Sequence, residues 1–224
     1  HPRWNHAGDK ICIDSVHNGR RGLYVIDVSK NTNEKGCSSR AIEVSVVIPT
    51  HNRANLLPRA IKSVLNQTYP IKEINVVSDG SEDETEEIME RLSEKYQQIH
   101  FYTYYPNRGG NFARNYGIKM STGDVVAFLD DDDEWDKEKI ALQVSLMEAD
   151  SKIGLVCTGT NRIFVDDGIS NVYIPPAPYD CAKEILLKNC IGSTTTVMVR
   201  RELFDQAGDF DESLPALQDY DMWV

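Results

Sequence analysis

The chain has 224 residues, of which 41% are hydrophobic and 26% charged, with a formal net charge of -11. That is enough apolar material for one full domain, and the acidic balance disfavours DNA, RNA and anionic lipid as partners of the chain as a whole. Its five cysteines, at 12, 37, 157, 181 and 190, are odd in number and lack C-x-x-C or zinc-ligand spacing, so they read as thiols in a reducing compartment.

The first forty residues differ from the rest. "HPRWNHAGDKICIDSVHNGRRGLYVIDVS" reads as short strands separated by Gly8-Asp9 and Asn18-Gly19 turn signals. These 29 or so residues resemble one repeat of a TolB-like β-propeller, which alone cannot bury its own face. "KNTNEKGCSSR" reads as a linker. Residues 1–40 are therefore expected to be a propeller-like remnant and linker, and 41–224 a separate domain.

From residue 42 onward, strand and helix patterns alternate. "VSVVIP" is a buried strand, and "NLLPRAIKSVLNQ" spaces Leu56, Leu57, Ile61, Val64 and Leu65 as an amphipathic helix. "EINVVS" is a second strand, followed by the acid-led helix "DETEEIMERLSEKY". "IHFYTY" and "GNFARNYGIKMS" form the third pair, "DVVAFLD" and "DKEKIALQVSLMEA" the fourth. "IGLVCTG", "NVYI" and "TTTVMVR" read as further strands, parallel or antiparallel. The alternation predicts an α/β fold with a mostly parallel central sheet and right-handed crossovers. No apolar run approaches the roughly 20 residues needed to span a bilayer.

Parallel strand ends collect at one edge, where open α/β sheets bind ligands. Here they carry "PTHNRA", "SDGSEDE" and four aspartates, 130–133, directly after the apolar run 125–129. Four adjacent carboxylates repel, and a divalent cation is the strongest local relief. An EF-hand is excluded, because its sixth loop position needs Gly and Trp135 stands there. Asp133, Glu134 and Asp136 suit the start of the following helix. "NRGGNFARN" offers glycines for close approach and two arginines for phosphate. No strand is followed by a G-x-G-x-x-G loop, which argues against a dinucleotide-binding dehydrogenase.

Taken in order, "VSVVIPTHNRANLLPRAIKSVLNQTYP", "VVSDGSEDET", "ARNYGI" and "STGDVVAFLDDDDEW" resemble the inverting glycosyltransferase family 2, over residues 44–223. The resemblance implies a GT-A fold: a Rossmann-like, three-layer α/β/α nucleotide-diphospho-sugar transferase. It implies that Pro49, Thr50, Asn52 and Arg53 form the first nucleotide loop, with His51 where Tyr is usual. Asp79 would meet the base, usually uracil, and Arg108 and Arg114 the diphosphate. Asp130-Asp131-Asp132 matches D-x-D: Asp132 would ligate Mg²⁺ or Mn²⁺, and Asp130 or Asp131 would help hold metal or ribose. "GDFDESLPALQDYDMW" resembles the acceptor segment, with Gln218-Asp219 at the usual "E-D" pair and Asp219 as catalytic base. The implied activity moves a sugar from a nucleoside-diphosphate sugar, UDP-linked in the leading reading, to a saccharide or lipid-linked saccharide hydroxyl. The implied setting is cytoplasmic, free or peripheral to the inner face of the membrane. The competing reading is a non-catalytic nucleotide-sugar-binding or scaffold module with a propeller-like partner segment. The chain starts at His1 and stops just after "QDYDMW", which reads as a C-terminally truncated piece of a longer protein.

Overall fold

A computed structural model describes residues 2–4, 11–13, 23–27, 40–164, 169–174 and 181–224. The strands are β1 (Pro2–Trp4), β2 (Ile11–Ile13), β3 (Leu23–Asp27), β4 (Val44–Thr50), β5 (Glu73–Asp79), β6 (Ile99–Tyr104), β7 (Val125–Phe128), β8 (Ile153–Thr158), β9 (Thr160–Phe164), β10 (Ile169–Tyr173) and β11 (Val197–Arg200). The helices are α1 (Leu57–Leu65), α2 (Thr85–Lys95), α3 (Gly110–Met120), α4 (Lys139–Ala149), α5 (Cys181–Glu184), α6 (Phe204–Ala207) and α7 (Gln218–Trp223).

The main sheet runs β1-β2-β3-β8-β11-β7-β4-β5-β6. Strands β7, β4, β5 and β6 are mutually parallel, and β11 is antiparallel to both β7 and β8. The chain steps outward from β4 through β5 to β6, then returns to place β7 on the other side of β4. That reversal is a topological switch point, and the crevice beyond the carboxyl ends of β4 and β7 is where such sheets take ligands.

Alternate residues of the central strands feed two cores. Val44, Val46 and Ile48 of β4 and Val125, Ala127 and Leu129 of and after β7 face Ile61, Met89, Ile140 and Met147. Val47, Val126 and Phe128 face Ile118, Phe204 and Phe210 on the opposite side. This is the three-layer α/β/α arrangement, and it explains why both strands read as unbroken apolar runs. α1 forms because Pro58 is accommodated in its first turn and Leu57, Ala60, Ile61 and Val64 fall on the buried face. α3 lies hard on β4: a Cβ on Gly117 would stand 2.3 Å from Val47 Cγ1.

Two expectations shift. Thr194–Thr196 of "TTTVMVR" form a 3₁₀ turn, and the strand begins at Val197. Asp133 and Glu134 precede α4 by several residues; Asp136 opens it instead, its carboxylate accepting from the Glu138 amide at 3.0 Å. The propeller-like reading falls largely outside the described residues; within them β1, β2 and β3 pair antiparallel and β3 pairs antiparallel with β8. Among the described residues no helix is long and apolar enough to cross a membrane.

Candidate functional site

Three strand ends and one helix start meet at the switch point. After β4, with Pro49 and Thr50 buried, the chain turns through Asn52 at φ 52°. Asparagine tolerates this left-handed conformation. Its side chain repays it locally, because Asn52 Oδ1 accepts from the Glu82 amide at 2.7 Å. The turn aims Arg53 across to the end of β7, where Nη1 lies 2.8 Å from Asp131 Oδ1 and 2.6 Å from Asp132 Oδ2.

At the end of β5, both Asp79 oxygens accept backbone amides, from Arg108 at 2.7 Å and Gly109 at 2.8 Å. Asp79 thereby fixes the loop that starts α3. The Asp79 carbonyl lies 2.6 Å from His51 Nδ1, which places the imidazole proton on that nitrogen. Beside it opens a cleft of about 710 Å³ lined by His51, Asn52, Gly80, Glu82, Tyr105 and Asn107 among others.

At the end of β7 the aspartates separate into unequal environments. Asp130 Oδ1 accepts from Arg114 Nη2 at 2.9 Å, and Thr194 Oγ1 donates to the same carboxylate at 3.3 Å. The Asp130 amide donates to Thr195 Oγ1 at 3.1 Å. Asp131 is 5% exposed. Burial pushes its carboxyl above the usual carboxylate range, against the pull of Thr50 and Arg53. Asp132 is exposed, and its carbonyl accepts from Arg59 Nη2 at 2.7 Å. Within the chain, then, arginines relieve the carboxylate cluster: Arg53 and Arg114 at the carboxylates, and Arg59 at the Asp132 carbonyl and at Glu134, 3.1 Å away. Among the described residues no group of three or more His, Cys, Asp or Glu is placed to hold a metal ion. Asp132 and Asp130 remain as hard oxygen donors at the mouth. That set fits Mg²⁺ or Mn²⁺ only if donor phosphates and water complete the shell, which is how Mg²⁺ is usually held.

The acceptor-like segment reaches the same edge. Gln218 Oε1 lies 3.3 Å from Arg114 Nη1, so α7 starts beside the group that holds Asp130. Asp219 follows, half-buried, with Oδ1 accepting from the Tyr220 amide at 2.8 Å. Arg108 points elsewhere: its guanidinium stacks on Phe112 at 3.5 Å and pairs with Glu212 at 3.2 Å. The structure thus brings Thr50, Arg53, Asp79, Arg114, the aspartates and Gln218 to one crevice. Sequence reasoning missed Arg59, Thr194, Thr195, Asn111 and Asn115, whose partners lie 64 to 100 residues away for all contacts that matter here.

A mostly parallel sheet with flanking helices and an acidic crevice at its switch point is an architecture of GT-A type. The family model described as glycosyl transferase family 2 matches residues 45–208, and the chain belongs to that family of glycosyltransferases. It is 35% identical over 186 residues to an uncharacterized glycosyltransferase of Rickettsia conorii, covering 80% of this chain and 30% of that relative. It is 31% identical over 182 residues to TuaG of Bacillus subtilis, a glycosyltransferase named for teichuronic acid biosynthesis, covering 81% and 70%. Among solved structures, S. aureus TarS 1-349 superposes with a TM-score of 0.60 at 24% identity, covering 80% of this chain and 53% of that one. The mannosyltransferase PcManGT of Pyrobaculum calidifontis, in complex with GDP-Man and Mn²⁺, gives 0.62 at 22%, covering 82% and 51%. The chain therefore spans under a third of its R. conorii relative and about half of these solved chains.

Proposed function

We propose that this chain transfers a sugar from a UDP-sugar to a saccharide or lipid-linked saccharide hydroxyl, by single displacement with inversion. The observation that carries this is the Asp130–Arg114–Gln218 chain of contacts, which joins the donor-side cluster to the residue before Asp219. The UDP reading draws support from TarS, which has been solved in complex with UDP and with UDP-GlcNAc.

Pro49, Thr50 and Asn52 shape the wall on which the nucleoside lies, and Asp79 holds the opposite loop and faces the base. Arg53 and Arg114, now satisfied by aspartates, turn a guanidinium to the diphosphate, with Arg108 at the loop beside it. Asp132 and Asp130 would hold a divalent cation, with donor phosphates and water completing its shell. That cation, when bound, stabilises the charge that develops on the leaving diphosphate. Asp131, being buried, contributes by holding Arg53. Asp219 takes the proton of the acceptor hydroxyl, a role worth roughly 10²–10⁴-fold.

The test is thermal shift with UDP and Mn²⁺ together. Both should raise the melting temperature of the wild-type chain, and Asp132→Ala should abolish most of the rise. No shift at saturating UDP and Mn²⁺ would remove the donor site. Asp219→Asn should keep the shift and lose turnover; unchanged turnover would remove Asp219 as base.

A further inference from the structure

Helix α3 stands between the two halves of the site and touches both. Just before it, the Arg108 and Gly109 amides hold Asp79. One turn in, Arg114 holds Asp130. The next residue, Asn115, faces a different partner. Its Oδ1 accepts from the Phe210 amide at 2.9 Å, and its Nδ2 donates to the Phe210 carbonyl at 2.9 Å and to Glu212 Oε1 at 3.3 Å. One turn earlier, buried Asn111 donates to the Asp211 carbonyl at 2.6 Å.

These bonds answer a local need. Residues 208–217 lie in neither helix nor strand, so their buried backbone groups require partners from elsewhere. A side-chain amide offers a donor and an acceptor together, and so pairs with the Phe210 backbone as a neighbouring strand would. Phe210 carries the consequence onward. Its ring, 2% exposed, packs edge-on against Phe128 of β7 at 5.7 Å and against Trp223 of α7 at 6.0 Å. The segment then enters α7 through Leu217 at φ 59°, a strained conformation for leucine that persists only when its surroundings impose it.

We infer that Asn115, backed by Asn111, is a positioning residue that sets the height of Asp219 relative to the Asp130–Asp132 cluster. The inference rests on the reading of Asp219 as base. Arg114 and Asn115 are adjacent on one helix, so a single rigid element bears on Asp130 and Gln218 through one residue and on the Phe210 backbone through the next.

Asn115→Asp keeps the shape but turns an oxygen toward the Phe210 carbonyl and Glu212; Asn115→Leu removes donor and acceptor together. In both variants of the full chain, amides of residues 210–223 should exchange hydrogen at least tenfold faster, while those of 74–79 and 125–128 keep their rates. Calorimetric affinity for UDP with Mn²⁺ should stay within threefold. UDP release from UDP-GlcNAc should lose at least tenfold in kcat with KM within threefold, and Asn115→Leu should cost nothing further in an Asp219→Asn background. The inference is overturned if exchange in 210–223 is unaltered. It is also overturned if UDP affinity falls as far as turnover, or if the two substitutions multiply. A wild-type chain that releases no UDP, while its variants still show faster exchange in 210–223, sinks the UDP-GlcNAc donor reading and keeps the clamp.

Discussion

Lys139 is 7% exposed, at the start of α4 and away from the crevice. Its Nζ donates to Gln143 Oε1 at 2.7 Å and lies 4.2 Å from the Trp135 ring centroid. Burial pushes its ammonium pKa down to about 7. An unfolded lysine titrates near 10.4. Between these values the unfolded chain binds more protons than the folded one, so stability must rise with pH across that window and flatten below 7. The contribution approaches ~1.4 kcal/mol per pH unit. Urea unfolding at pH 7, 8 and 9 should show this rise in the wild type and lose it in Lys139→Met. Equal slopes in the two proteins would show that Lys139 is not its source. Glu73 gives a slope of the same sign in the acid range, although its charged form is stabilised rather than penalised. Burial would raise its carboxyl, but the Ser45 hydroxyl and Thr122 outweigh that and hold it below the usual range, so its contribution is lost toward acid.

At the level of elements, α3 is the one that contacts both the aspartate cluster and the 208–217 segment, and its placement rests on Gly117. The helix approaches β4 so closely that even a methyl group meets the β-branched, fully buried Val47 at 2.3 Å. Two effects oppose each other in Gly117→Ala. Helix propensity favours alanine by about 1 kcal/mol, whereas overpacking a stiff core costs about 1–3 kcal/mol. Val47 belongs to a central strand paired on both sides and has nowhere to go, so overpacking wins. We expect a net loss of up to about 2 kcal/mol in urea unfolding. UDP–Mn²⁺ affinity should weaken with it, because Arg114 rides on the displaced helix. A stabilised Gly117→Ala variant with unchanged affinity would show that the helix can retreat freely.

At the scale of the whole molecule, the parts legible in sequence are those written locally. The run 125–129 reads as buried on both faces, and all five residues have no exposure. The strand–helix alternation and the edge where 49–53, 79 and 130–132 converge were legible for the same reason. The unequal fates of Asp131 and Asp132 were not: both pair with Arg53, 78 and 79 residues earlier, yet Asp131 is buried and Asp132 exposed. Nor was the turn at Thr194–Thr196: a β-branched run reads as strand, yet two of its hydroxyls serve Asp130. Arg59, Asn111 and Asn115 carry no local signal, since each is defined by a distant backbone carbonyl. This division has a thermodynamic counterpart. The 49–53 turn and the aspartate cluster hang from β4 and β7, which are paired on both sides and covered on both faces. Residues 208–217 join no ladder: beside the turn bonds from the Gly208 amide to the Phe204 carbonyl and from the Leu214 amide to the Asp211 carbonyl, side-chain bonds from Asn111 and Asn115 tie them to α3. Local openings cost less where such bonds replace a paired ladder. In native-state hydrogen exchange with rising sub-denaturing urea, amides of 210–223 should exchange through a local opening whose rate is insensitive to urea. Amides of 44–50 and 125–128 should exchange only through global unfolding, with the full urea dependence. If both sets merge onto one urea-dependent line at all concentrations, the two parts unfold as one unit, and residues 210–223 are as rigidly held as the sheet itself.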